Sequence, residues 1–157
     1  MLEVANLSTI RDYSIGWVTQ DGDPVKPFSP WQYLGYICGL HDAAAFVTLF
    51  LPEFCIHEGM IFLSKEFDKE TYESYIASGF SDQEISFMIN HVHVIDLFPY
   101  KPEQIDSEVA QFVGNGLAES WTAKLEREFG SGSAYVELEE PETDPQLIIK
   151  QGSLIHG

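Results

Sequence analysis

Apolar positions along this chain recur with two different periods, and the changes between them mark the expected elements. Val109, Phe112, Val113, Leu117, Trp121 and Leu125 repeat at helical spacing, which predicts a long helix from about Asp106 to Phe129. Ile85, Met88, Ile89 and Val92 keep the same period, so a helix is expected from Ser81 to about His91 or beyond. Phe54–His57 and Met60–Leu63 are instead rich in β-branched and aromatic residues around Glu58-Gly59, which predicts a short hairpin. Ala134–Leu138 and Gln146–Lys150 read as a terminal hairpin across an acidic, proline-containing loop. The apolar run from Ala43 to Leu51, in a segment starting at Asp42, reads as a buried helix closed by Pro52.

Local punctuation supports these elements. Ser81-Asp82-Gln83-Glu84 is a capping box, with Phe80 and Ile85 placed as its hydrophobic staple. Asp68 is positioned to cap another helix, with Phe67 facing Tyr72, and Gly79 supplies a left-handed stop. Ser29-Pro30-Trp31-Gln32 repeats the design, with Phe28 opposite Tyr33, and starts a helix running toward Gly39. Trp31, Tyr33 and Tyr36 read as core at helical spacing, and Trp17 falls on a strand over 14–20 before the turn at Asp21-Gly22-Asp23-Pro24. Pro99 and Pro102 separate the middle of the chain from the long helix, and Gly130-Ser131-Gly132-Ser133 is a turn. Gly114 and Gly116 each cost a helix about 1 kcal/mol relative to Ala, so they mark either close packing or a break. Residues 151–157 are expected to form a frayed tail. The expected fold is α+β: a single compact domain over 1–157, mostly helical with short antiparallel hairpins, including one at the C-terminus.

Composition narrows the functional classes. The 157 residues carry 25 acidic and 8 basic side chains, a net charge of −17. That imbalance argues against gripping nucleic acid or an anionic membrane, because phosphate binding relies on Lys and Arg. Aromatic residues make up 13% of the chain, which speaks against an acidic disordered protein. Met1 to Asn6 shows no basic leader, and the longest apolar run is too short for a bilayer, so the cytoplasm is the expected location.

Candidate chemistry is sparse. Cys38-x-x-His41 on a helix and Cys55-x-His57 on a strand each place two metal ligands on one face. The plainer reading takes both cysteines as small apolar residues, because this spacing matches no zinc finger. His91 and His93 share a face on a strand but point apart on a helix, and the upstream capping box favours the helix. One of them is then expected in a polar pocket with Asp96. No GxSxG elbow, HExxH helix or glycine-rich phosphate loop is present, so no catalytic residue and no cofactor is assigned.

What remains is the acidic surface. Glu137, Glu139, Glu140, Glu142 and Asp144 form its densest run, on the terminal hairpin and its loop, with Glu137 and Glu139 on one face. A solvated outer face that deters edge-to-edge aggregation is the bland account. The functional account is a docking surface for a basic protein, such as an immunity-type inhibitor covering a cationic nuclease. A metal-dependent hydrolase using the His, Cys and carboxylate residues is the alternative. A homodimer or larger assembly burying Trp121 and Leu125 between copies is the third.

Overall fold

The computed structural model describes residues 38–98, 107–139 and 144–152. The expected elements over 14–39, with Trp17, Trp31, Tyr33 and Tyr36, lie outside the described residues apart from Cys38 and Gly39, as do Glu140 and Glu142. The chain divides into two units, Met1–Phe46 and Val47–Gly157. The described elements are α1 (Leu40–Phe50), β1 (Phe54–His57), β2 (Met60–Leu63), α2 (Lys69–Ala77), α3 (Asp82–Ile89), β3 (His91–His93), α4 (Ser107–Phe129), β4 (Ala134–Glu139) and β5 (Gln146–Gln151). A 3₁₀ turn spans Ile95–Leu97. The architecture is α+β, with antiparallel hairpins at β1–β2 and at β4–β5.

Helix α1 runs across the boundary between the two units. It starts at Leu40, earlier than the expected Asp42, because the Asp42 carboxylate accepts the Gly39 N–H at 2.8 Å and caps the first turn. The expectation of a buried helix fails: none of its residues is buried, and Val47 is exposed. Leu49 and Phe50, in the part of α1 that belongs to the second unit, are half-buried and pack onto that unit's core.

In that second unit the hairpin β1–β2 follows the sequence closely. Glu58 and Gly59 have φ of 48° and 79°, the pair of positive values a type I′ turn needs. The β2 side chains are all buried, shared between two apolar clusters. Met60 and Phe62 join Tyr72, Ile85 and Ile89 of α2 and α3, whereas Ile61 and Leu63 face the larger core. Asp68 caps α2 by accepting the Thr71 N–H at 2.8 Å, and Ser81 with Glu84 forms both bonds of the capping box on α3. Burial pushes the Tyr72 hydroxyl up from its ordinary pKa, reinforced by the charges of Asp82 and Glu58.

The second sheet has strand order β3-β5-β4, antiparallel throughout. Its inner face carries Val92, Ala134, Val136, Leu147 and Ile149, which pack against Leu117, Trp121 and Leu125 of α4. Each large side chain buried there contributes about 1.5–3 kcal/mol. The long helix keeps its expected course, except that Phe112 turns outward and is exposed. Gly114 resolves in favour of close packing: a Cβ there would sit 2.9 Å from Leu138 Cδ1 and 3.2 Å from Val94 Cγ2.

Two boundaries differ from the sequence expectation, and a single network explains both. Helix α3 ends at Ile89, not near His91, because the Asn90 side chain is fully buried and bonds to β2. Its Oδ1 accepts the Leu63 N–H at 3.0 Å, and its amide group donates to Ile61 O at 2.9 Å and Ser86 Oγ at 3.2 Å. Gln151 is no frayed tail: it pairs with Ala134 in β5 and accepts the Ile61 N–H at 3.0 Å while donating to Ile61 O at 2.8 Å. The two amide side chains satisfy the β2 edge that β1 leaves open. Gly152 beyond it is locked as well, since a Cβ would fall 1.8 Å from Gly132 O.

Candidate functional site

The outer face of the β3-β5-β4 sheet gathers His91, His93, Glu137, Glu139, Gln146 and Lys150. Register fixes who meets whom. His91, Ile148 and Glu137 lie in one row across the strands, and His93, Gln146 and Glu139 in the next. Alternation along each strand sends these side chains away from the α4 core. Helix α3 packs against β5 on this side, and Ile148 is buried.

Glu137 and Glu139 sit on one exposed face, as the alternation with Val136 and Leu138 predicts. They are not free charges. Lys150 lies 2.7 Å from Glu139 and 3.4 Å from Glu137. The bond to Glu139 holds the Lys150 ammonium above its ordinary pKa; burial opposes this, and Glu137 adds to it. Tyr135, opposite Lys150, stands half exposed at the end of the same face.

At the other edge the histidines depart from expectation. His91-Val92-His93 is strand, not helix, because Asn90 stops α3 and Val92 and Val94 are drawn into the core. The two imidazoles therefore share a face, with ring centroids 4.5 Å apart. The carboxylate partner is Asp144, not Asp96: His93 Nδ1 meets Asp144 Oδ2 at 2.5 Å, whereas Asp96 is exposed in the 3₁₀ turn. His91 Nε2 meets Gln146 Oε1 at 2.8 Å, and its ring stacks on Phe87 at 5.1 Å and 16°. Asp144 Oδ1 is buried and has no hydrogen-bond partner among the described residues.

A carboxylate-held imidazole is the arrangement that orients a catalytic base. Among the described residues, however, no Ser, Thr or Cys side chain is hydrogen-bonded to His93. Each of the two units holds two of the four expected metal ligands. Cys38 and His41 belong to the first unit and Cys55 and His57 to the second, and both cysteines are free thiols. The His57 ring packs on Phe67 at 5.0 Å and edge-on to Tyr72 at 4.7 Å, and Cys55 packs against the α2–α3 cluster. Among the described residues no group of three or more His, Cys, Asp or Glu side chains is placed to hold a metal ion. Comparison with protein families, curated proteins and solved structures found no match to this chain.

The distribution of charge is therefore the site's main property. Lys65, Lys69, Lys124 and Lys150 each pair with a glutamate of the chain: Glu66, Glu73, Glu128, and Glu137 with Glu139. Among the described basic side chains only Arg127 makes no ion pair. Glu53, Glu70, Glu119 and Glu126 make none either, and their carboxylates face solvent. No helix among the described residues is long and apolar enough to cross a membrane.

Proposed function

We propose that this chain is a non-catalytic cytoplasmic binding protein whose acidic exterior engages a basic protein. The observation that carries the reading is the fate of the lysines. Every described lysine is held by a glutamate of the same chain, while further carboxylates stay unpaired on the surface. A surface of this kind repels phosphate backbones and attracts cationic partners. In its most concrete form the partner is a cationic toxin such as a nuclease, whose positive groove an acidic protein would both occupy and find quickly. The Glu137–Glu139 face with Asp144 is the first place to look for contact.

The test is capture of partners from the native source, followed by binding of the recovered protein to the variant carrying Glu137→Gln and Glu139→Gln. A basic partner whose affinity falls at least tenfold supports the reading. A neutral or acidic partner, or a basic one indifferent to both substitutions, contradicts it for this face.

A further inference from the structure

An open cavity of about 510 Å³ lies in the second unit, on the inner side of β3, where Val92 lines it while His91 and His93 point to the opposite face of the strand. That volume falls in the range of ligand pockets. Leu49, Leu63, Val92, Leu97 and Trp121 make its walls apolar, with Thr48 and Pro52 beside them. Trp121 is buried, and its indole N–H already donates to Leu49 O at 2.9 Å, so the ring offers only apolar surface. Ser120 Oγ likewise donates to Phe50 O at 2.5 Å, which fixes the end of α1 against α4 within this unit.

The lining also carries charge, in the exposed side chains Glu53, Lys65 and Glu66. The Lys65 ammonium lies 3.6 Å from Glu66, whereas Glu53 makes no ion pair among the described residues. An apolar chamber with an exposed, uncompensated carboxylate in its lining suits an occupant with an apolar side chain and a cation close by.

We infer that this cavity anchors a basic polypeptide segment of the partner, taking a large aliphatic side chain against Trp121 while a flanking Lys or Arg meets Glu53. The inference rests on the cationic-partner reading above and adds to it a site and a residue class. It assigns discrimination to the cavity, since surface charge alone attracts any basic chain.

The test uses three short synthetic peptides: leucine flanked by Lys and Arg, the same with serine for leucine, and leucine flanked by Glu. Each is titrated into the isotope-labelled full chain and followed by NMR. The expected result is saturable binding of the first, with shifts at the Trp121 indole, Leu63 and Val92, and at least tenfold weaker binding of the other two. Glu53→Gln should weaken the first peptide several-fold. Leu97→Trp, which narrows the chamber, should erase the advantage of leucine over serine. Equal binding of the two cationic peptides, with shifts confined to the Glu137–Glu139 face, would overturn the cavity and leave the cationic-partner reading standing. Equal binding of the glutamate-flanked peptide would overturn both, as would no binding by either cationic peptide.

Discussion

Asn90 shows what a single residue decides in this fold. Its carboxamide bonds the β2 edge on one side and Ser86 on the other, fully buried, and in doing so it ends α3 and turns the next residues into strand. Replacing it by aspartate puts a charge where two of its bonds need a donor. Asn90→Asp is expected to cost about 3 kcal/mol or more, by urea unfolding, since an uncompensated buried charge is involved. Ser86→Ala should cost only about 1 kcal/mol, because it removes a hydroxyl that bridges the two amide side chains. Equal costs for the two would show that the network is incidental. Nothing adjacent to Asn90 announces its hold on β2, for the partners there lie 27 and 29 residues away. The same distance hid Asp144, which stands 51 residues from His93, so the sequence offered the nearer Asp96 instead. Side chains whose partners are local, such as Ser81 with Glu84, were readable; those with remote partners were not.

The elements divide the same way. Turn and cap chemistry is written within a few residues, and the type I′ turn at Glu58-Gly59, the caps at Asp68 and Ser81, and the stop at Gly79 all stand where the sequence placed them. Element ends that depend on tertiary contacts moved, as at His91 and Gln151. The caps also set a pH dependence. Bonds from Ser81 hold the Glu84 carboxyl below the usual carboxylate range, and bonds from Thr71 do the same for Asp68. A folded pKa below the unfolded one gives stability that is present above the unfolded value, about 4, and lost as pH falls through the folded value. The melting-temperature gap between the parent and Glu84→Gln should therefore be widest near neutral pH and close on acidification; a gap independent of pH would contradict the capping role. Helix α4 provides a second contrast. Among the described residues a Cβ at Gly116 meets only Phe50 Cε1, at an ordinary 3.6 Å, so Gly116→Ala should stabilise by up to about 1 kcal/mol. Gly114→Ala gains the same propensity but crowds Leu138 and Val94, and should give no net gain. Identical urea midpoints for the two would remove the close-packing account of Gly114.

At the scale of the whole molecule the net charge of −17 was legible from composition alone, and the structure adds where the opposite charges go. Lysines paired within the chain leave little positive surface among the described residues, where the unpaired carboxylates dominate. The cavity beside Trp121 was not legible, because its walls come from α1, β2, β3 and α4 and no local pattern joins them. A protein that recruits a basic partner by its field shows it in the rate of encounter more than in the lifetime of the complex. The most direct measurement is the association rate constant with the captured partner, by stopped flow, at rising ionic strength. That rate constant should fall steeply between about 10 mM and 500 mM salt, with dissociation changing far less. An association rate that stays flat across that range would contradict the central claim.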